Sequence, residues 1–517
     1  MSTQSSNNNK RIAKNTMLLY IRMMFTMAVS LFTSRVILNT LGVEDYGIYN
    51  VVGGIVIMFT VLSGSLSVSI SRFITFELGK NNMKRLKAVF STGVNIQLAM
   101  SLLVICLAEA VGIWFLNAKM NIPTERIDAA NWVFQCAILT FVINLLSVPY
   151  NAAIIAHEKM SAFAYISIVE VTLKLIIVYM LTISPFDRLK TYAVLFLCVG
   201  AIIRFVYGFY CKRHFEECTY HFVYEKPLLK EMASFAGWNF LGNGVYILNT
   251  QGLNILMNMY FGVAVNAARG IATQVDAALK QFVINFMTAV NPQITKSYAQ
   301  GDLDSMHKLV CRSAKFSAFL MIFFAVPIIL ETDTILTIWL KNPPDYAAIF
   351  LQWIIISSFV DTVLSRPLVT SMLATGKIKR YQIIVTTIGC MVFPLSWLAF
   401  ELGMQPHVGY ILYFIFYSVL IGVRLYLLKD IVKLPVMMYV REVLCKVLPV
   451  MVISFAIPSL LRISMEVGWL RLILVGISSA FMTAIVEFYI GLTPNERLFI
   501  VEKINNIGFV RNLKNRF

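Results

Sequence analysis

Charged side chains are scarce in this 517-residue sequence, in which 14% of the residues are charged and 58% are hydrophobic. A soluble domain carries about 25% charged and about 45–50% apolar residues. The excess apolar surface requires lipid as its solvent, so the composition excludes a soluble enzyme. Linkers rich in Gly, Ser or Pro and low-complexity tracts are also missing, which favours one continuous membrane domain.

Disulfide and metal frameworks are missing as well. The eight cysteines are scattered, mostly inside apolar stretches, unlike those of a disulfide-rich secreted domain. Only Cys211, His214, Cys218 and His221 cluster, with three residues between the two pairs. Zinc sites usually place about 12 or more residues between the pairs. We therefore interpret this segment as a loop at the headgroup boundary and predict no metal site.

Catalytic signatures are equally absent from the sequence. It contains no nucleophile–His–acid arrangement, no P-loop and no dinucleotide-binding fingerprint. The predicted outer loops, of about 5–13 residues, are too short to hold the folded active-site loop of a membrane glycosyltransferase. We predict that the protein is not an enzyme and needs no cofactor, so a proton or Na⁺ gradient is the candidate energy source.

Apolar stretches long enough to cross a bilayer dominate the chain. A span needs about 20 mostly apolar residues, and the first stretch, 17–41, is too long for a signal-peptide core of about 7–15 residues. About fourteen stretches meet this length. They centre near residues 29, 61, 104, 142, 172, 202, 247, 280, 323, 360, 390, 417, 452 and 480. The sequence therefore predicts an all-α polytopic membrane protein of about 14 transmembrane helices.

Basic residues set the orientation of these spans, because cytoplasmic segments are rich in Lys and Arg. With the N-terminus inside, about 28 basic residues fall inside and about 8 outside. The inside segments include 77–87, 211–231, 296–315, 375–381 and 429–446. Both termini are therefore predicted to be cytoplasmic. The formal charge of +17 indicates contact with anionic membrane lipids rather than with nucleic acid.

An internal repeat divides the chain. Three matches lie 218 residues apart: Pro149 with Pro367, Ala156 with Ala374, and Lys159 with Lys377. Further glycine matches lie at similar offsets, Gly42 with Gly262 and Gly79 with Gly301. We predict an N-terminal six-helix lobe at 1–215, a C-terminal six-helix lobe at 216–430, and two additional helices with a cytoplasmic tail at 431–517. Parallel repeats of this kind are typical of transporters that bind substrate between the halves.

Polar residues inside the spans are the candidate binding residues, because they are costly in lipid. In the first span, Arg22 and Thr26 share one polar face. The seventh span carries a second polar face, formed by Asn239, Asn243, Tyr246, Thr250 and Asn254. Such a face fits a sugar-like or headgroup-like ligand, or it holds helices together by hydrogen bonds.

Two acid–base pairs at i, i+4 are the candidate ion-coupling groups. They are Asp276 with Lys280 and Glu170 with Lys174. Either they are structural ion bridges, or a carboxylate takes up a proton or Na⁺ during transport. Arg269 and Arg366 also lie within or near spans, and with Arg22 they make interior cations outnumber acids. Arginine holds phosphate in a bidentate fork, so an anionic, phosphate-bearing substrate is favoured.

Several segments resemble a known family. Residues 34–54 read SRVILNTLGVEDYGIYNVVGG and are similar to the first-hairpin signature of bacterial polysaccharide-biosynthesis exporters. Those are O-antigen-type oligosaccharide flippases related to the multidrug and toxin extrusion (MATE) transporters. Residues 149–159, 251–273 and 291–294 resemble the same family.

This resemblance implies two six-helix bundles in a MATE-like arrangement plus two C-terminal helices. It implies a bacterial inner-membrane flippase whose substrate is a polyprenyl-diphosphate-linked oligosaccharide, such as an O-antigen, capsule or exopolysaccharide unit. Polysaccharide assembly proteins are then the expected protein partners. The family's cavity is cationic, and Arg22 is the best positioned arginine here. The main alternative is an ion-coupled MATE-type exporter of drugs or metabolites, and a membrane-embedded glycan enzyme is a third hypothesis.

The predicted topology can be tested with C-terminal fusions. An even number of spans and the Lys/Arg distribution place both termini in the cytoplasm. A C-terminal green fluorescent protein fusion should therefore be bright, and a C-terminal alkaline phosphatase fusion should be inactive. The reverse result would refute this topology.

Overall fold

A computed structural model describes residues 3–57, 60–118, 124–222, 225–340 and 343–505. These residues are almost entirely helical, and none of them lies in a β-strand. The helices are α1 Thr3–Ile57, α2 Thr60–Gly79, α3 Met83–Leu107, α4 Ile113–Ala118, α5 Ile127–Ala156, α6 Met160–Ile183, α7 Arg188–His214, α8 Lys226–Ile247, α9 Leu253–Ala299, α10 Leu303–Leu330, α11 Thr332–Leu340, α12 Ala347–Ser358, α13 Arg366–Thr375, α14 Lys379–Cys390, α15 Val392–Glu401, α16 Val408–Ile431, α17 Val436–Tyr439, α18 Cys445–Ser464, α19 Trp469–Val486 and α20 Pro494–Asn505.

Within the described residues, ten helical segments have the length and apolar composition to cross a membrane. The all-α membrane fold is thereby confirmed, whereas the number of fourteen spans stays a prediction. The predicted spans centred at 29, 61, 247 and 280 are helical but are not among the ten. These are the first two spans of each predicted lobe.

One predicted interruption is absent from the helical backbone. Segment 43–47, which contains no Lys or Arg, is predicted to be an outer loop, but α1 runs without a break from Thr3 to Ile57. Helix α9 is also long and extends from Leu253 to Ala299. The prediction of a loop at 43–47 was wrong, since this stretch contains no proline and its backbone hydrogen bonds continue along the helix.

The structure divides into two compact units. Unit 1 comprises 1–245, 288–306 and 370–383, and unit 2 comprises the rest of the chain. In unit 1, α5 packs against α2, α3 and α7, while α1 packs along α6. In unit 2, α12 packs on α16 and α18 on α19. The lobe boundaries proposed from the sequence stay a prediction, and the tail after Asn505 lies outside the described residues.

The repeat recurs as pairs of left-handed turn residues. Asn81 and Gly301, 220 positions apart, have φ of 54° and 77°. Glu158 and Gly376, 218 positions apart, have φ of 59° and 74°. Non-glycine residues with positive φ are uncommon, so their recurrence at the repeat offsets supports a duplicated helical unit.

A buried ion pair holds the additional C-terminal helices within unit 2. Arg471 of α19 lies 2.9 Å from Glu331, whose side chain is 0% exposed. Arg471 also donates to Thr334 over 3.1 Å. A charge in the middle of a protein interior is tolerated only with such a partner, so this pair fixes where α19 packs.

Candidate functional site

Arg22 lies on α1 in unit 1, half-buried against α6. Its guanidinium carbon is 4.7 Å from the centre of the Phe163 ring, a cation–π distance. Its Nε is buried and has no hydrogen-bond partner among the described residues. Glu170 and Tyr207 are its electrostatic neighbours. Thr26, one turn further along α1, bonds back to the Met23 carbonyl over 3.0 Å.

The Glu170–Lys174 pair forms as predicted from its i, i+4 spacing. Lys174 donates to Glu170 over 2.6 Å, and each side chain is 34% exposed. Lys174 also lies 4.9 Å from the centre of the Phe196 ring. Glu170 and Lys174 neutralise each other, so the pair adds no net negative charge to balance Arg22 in the same unit.

The polar face of α8 begins as predicted. Asn239 is buried, and its Nδ2 has no hydrogen-bond partner among the described residues. Asn243 donates to Ser65 of α2 over 3.0 Å.

The predicted face does not continue to Asn254. A π-helical turn at Leu248–Gly252 interrupts the helix and shifts the following positions by about 100°. The prediction of a single arc from Asn239 to Asn254 was therefore wrong, because it assumed a constant α-helical period.

This turn contains a residue that the sequence analysis missed. Asn249 is 1% exposed and donates to the Gly389 carbonyl over 2.8 Å. Its neighbour Thr250 bonds to the Tyr246 carbonyl over 2.9 Å, and Tyr246 is exposed. No helical periodicity in the sequence could have found Asn249, since it lies off the α-helical face.

The two predicted arginines of unit 2 have different environments. Arg269 is buried and donates to the Thr250 carbonyl over 2.5 Å. Arg366 is the first residue of α13 and is exposed. Arg269 thus lies among candidate polar residues, and the role of Arg366 stays a prediction.

Unit 2 contains a cluster of ionisable residues around Lys280. Lys280 donates to Asp276 over 2.7 Å, and the Asp276 side chain is only 6% exposed. Asp361 is a further electrostatic neighbour of both residues. Tyr413 donates to Asp361 over 3.3 Å and stacks on Tyr417 with ring centres 4.0 Å apart. Asp276 thus pairs directly with Lys280, and the charge of Asp361 acts on both of them from a greater distance.

Asp361 was missed in the sequence analysis, although an acid inside a predicted span is itself a functional signal. It lies in a second π-helical turn, Phe359–Leu364. Such turns occur frequently at functional sites. Because both π turns of this region carry polar side chains, we treat Asn249 and Asp361 as additional candidate site residues.

A third missed residue, Glu158, organises a buried cluster in unit 1. Its side chain is 1% exposed and lies 2.8 Å from Arg11 and 2.8 Å from Lys296. Gln293 donates to the same carboxylate, and Asn15 donates to the Glu158 carbonyl over 3.2 Å. Burial lowers the pKa of Lys296, although the Glu158 carboxylate opposes that shift.

A related contact forms at the equivalent turn of the second repeat. Arg72 of α2 donates to the Ala374 carbonyl over 3.0 Å. A Cβ at Gly376 would lie 2.5 Å from Arg72 Nη2, so a larger residue there would displace the guanidinium group. The end of α2 also touches α9, since a Cβ at Gly79 would lie 2.9 Å from the Ala299 Cβ.

In the Cys/His cluster at 211–221, Cys211 and Cys218 lie beside each other, whereas the histidines have other surroundings. Cys211 bonds to the Tyr150 carbonyl over 3.5 Å and His214 to the Tyr210 carbonyl over 2.9 Å. His221 is exposed, and its backbone N–H donates to Ser91. Across the described ranges, no group of three or more His, Cys, Asp or Glu residues is arranged to hold a metal ion.

Comparison with known proteins gives the class of this fold. Residues 20–180 match the family model MatE. A solved multidrug resistance MATE family transporter of the MOP superfamily, in an outward-facing conformation, is similar with a TM-score of 0.69 and 14% identity, over 82% of this chain and 96% of that one. A MOP superfamily transporter from Pyrococcus furiosus, described as having a binding pocket of reverse polarity, has a TM-score of 0.64 and 13% identity, over 83% and 96%.

A full-length relative is also known. The uncharacterized membrane protein EpsK of Bacillus subtilis (strain 168) is 21% identical over 506 residues, which are 95% of this chain and 97% of that protein. With the helical structure and the apolar spans, these similarities define the chain as a multi-pass membrane protein with the MATE transporter fold.

The burial of the two i, i+4 pairs predicts different costs of breaking them. Asp276→Asn leaves a mostly buried Lys280 without its partner, which should cost about 3–5 kcal/mol of unfolding free energy. Asp276→Leu with Lys280→Leu should be near neutral. Glu170→Gln should cost only about 0–1 kcal/mol if that pair faces water. Thermal unfolding of the purified proteins measures all three.

A small loss for Asp276→Asn would contradict a dry environment for the Asp276–Lys280 pair. A loss for Glu170→Gln as large as that expected for Asp276→Asn would contradict a wet environment for the second pair.

Proposed function

We propose that the protein is a transporter that moves a polyprenyl-diphosphate-linked oligosaccharide from the inner to the outer leaflet of a bacterial inner membrane by alternating access. The observation that carries this proposal is the environment of Arg22. An arginine in a span normally pairs with an acid or reaches the interface. Arg22 instead packs against Phe163 and keeps a buried Nε without a partner among the described residues.

The charge balance around Arg22 supports an anionic substrate. Lys174 neutralises Glu170 at 2.6 Å, so the local group of Arg22, Glu170 and Lys174 sums to one positive charge. A diphosphate would supply the missing anion, and a planar guanidinium binds two of its oxygens at once. The polar side chains of Asn239 and Asn243, in the same unit, would supply hydrogen bonds to sugar hydroxyl groups.

The comparisons are compatible with this substrate. The binding pocket of the Pyrococcus furiosus transporter is described as having reverse polarity, which suggests a different function for that protein. This fold therefore accommodates pockets of differing charge. We propose further that both termini are cytoplasmic and that polysaccharide assembly proteins act with this chain.

Variants of Arg22 test the substrate proposal. Arg22→Lys keeps the charge but loses the fork, so it should retain partial export, whereas Arg22→Ala should lose most of it. Export is measured as surface glycan at matched protein level. Arg204→Ala is the matched control, because Arg204 also packs on a ring in a unit 1 span, 4.0 Å from the Tyr150 centre. It should export normally. Wild-type export by Arg22→Ala would reject the diphosphate role.

Alternating access is supported by two reciprocal contacts inside unit 1. The end of α2 bonds, through Arg72, to the turn that ends at Gly376, in the second repeat of the sequence. The end of α9, through Lys296, bonds to the turn at Glu158, in the first repeat. Each repeat thus contributes a helix end to the other repeat's turn. Both contacts, Arg72 with the Ala374 carbonyl and Lys296 with Glu158, must break before the two repeats can separate where α2 and α9 end.

A reversible cross-link tests that requirement. Gly79 and Ala299 lie close enough that Gly79→Cys with Ala299→Cys should form a disulfide after a small separation, since its Cβ atoms need about 3.5–4.5 Å. Oxidation should stop export by the double variant, and reduction should restore it. The single variants control for the eight native cysteines. Full export by the cross-linked protein would refute the proposal that the repeats separate between Gly79 and Ala299 during transport.

The second candidate function is an ion-coupled MATE-type exporter of drugs or metabolites. It is favoured by the buried pair of Asp276 and Lys280 in unit 2 and by Asp361, which is an electrostatic neighbour of both. Here a carboxylate would take up a proton or Na⁺ and release the lysine. Normal transport by Asp276→Leu with Lys280→Leu would exclude this pair from ion coupling. Drug resistance conferred by the wild-type chain, without glycan export, would favour the second function.

A further inference from the structure

Unit 1 contains a groove of about 830 Å³ between α2, α3 and α8. Its walls are mainly apolar, with Ile96, Leu103 and Phe240 among the lining residues. Its α8 wall includes small residues, Ala233, Ala236 and Gly237, so a ligand can approach the helix closely. Helix α3 belongs to a candidate membrane span, and two of its lining side chains, Leu98 and Leu103, are exposed, as expected of a wall that faces hydrocarbon.

The groove has one polar end. Tyr220 donates to Asn95 over 2.8 Å, which holds the segment before α8 against α3. Thr92 lines the same end, is 2% exposed, and its Oγ1 has no hydrogen-bond partner among the described residues. Glu225 lines it as well. The basic residues Lys226 and Lys230 follow Glu225 and Leu229 of the groove wall and are exposed.

The length of the groove matches a lipid chain that enters from one leaflet. Thr92 and Leu103 are both lining residues, and eleven helical steps between them span about 17 Å. This is roughly half of a hydrocarbon core of about 30 Å. Lys226 and Lys230 belong to a segment that the sequence places in the cytoplasm, so the polar end lies at the inner headgroup level.

We propose that this groove binds the isoprenoid chain of the lipid-linked substrate. A single groove receives one chain, which fits a polyprenyl lipid, whereas a phospholipid has two. Ser65 lines the groove and accepts the hydrogen bond of Asn243. The chain would therefore lie directly behind the polar face of α8. This inference rests on the proposed function. It adds that the isoprenoid chain stays in the groove while the headgroup crosses the membrane.

The groove can be filled without a clash. A Cβ at Gly237 meets no atom within 4 Å, so Gly237→Leu should place its side chain in the groove, and leucine is also the better helix former. Gly422→Leu is the matched control. Its Cβ likewise meets nothing within 4 Å, and it lies on α16 of unit 2.

The test uses the purified full-length chain in nanodiscs with a polyprenyl phosphate that carries a diazirine on its chain. After irradiation, labelled peptides should map to 92–103 and 229–240. Excess unlabelled polyprenyl phosphate should displace the label, and excess phosphatidylglycerol should not. Gly237→Leu should lower labelling about tenfold, equivalent to about 1.4 kcal/mol, and Gly422→Leu should leave it unchanged.

Three results would overturn the proposal: labelling spread over all lipid-facing helices, equal displacement by phosphatidylglycerol, or unchanged labelling of Gly237→Leu. The second result would mean that ordinary phospholipid occupies the groove. Labelling does not depend on transport, so the outcome is separable from the proposed function. Arg22→Ala should keep full labelling of the groove even though it loses export.

Discussion

The absence of water from the bilayer core is the constraint on which this structure depends. Every backbone group within the hydrocarbon must find its partner inside the chain, which leaves helices as the form for each span. The same constraint acts on side chains, because a charge there needs a partner or a wet cavity. The architecture, the ion pairs and the uncompensated arginine all follow from these two requirements.

Charges in this protein fall into three groups according to how they meet this requirement. Some are buried pairs that fix helix packing, such as Arg471 with Glu331 in unit 2. Others join distant segments at a turn, as Glu158 does with Arg11 and Lys296. Arg22 alone among the predicted binding residues combines a spanning helix, an aromatic partner and an unpartnered buried nitrogen atom. Its cost is explained if an anion arrives during function.

The contacts at the helix ends occur at equivalent turns of the two sequence repeats. Residues 149–159 and 291–294, two segments that resemble the exporter family, meet where Gln293 donates to Glu158. The corresponding turn of the second repeat receives Arg72. Both contacts lie inside unit 1, and each joins a helix of one repeat to a turn of the other.

The sequence by itself determined the helical membrane class, the i, i+4 ion pairs and the start of the α8 polar face, because these depend on local composition and on helical periodicity. It also placed Arg22 on a polar face. Only the tertiary structure revealed Asn249, Asp361 and Glu158. Two of these lie in π turns that break the α-helical period, and the third lies in a turn whose partners are more than 130 residues away in the chain. Long-range packing decides such contacts, and no local pattern encodes it.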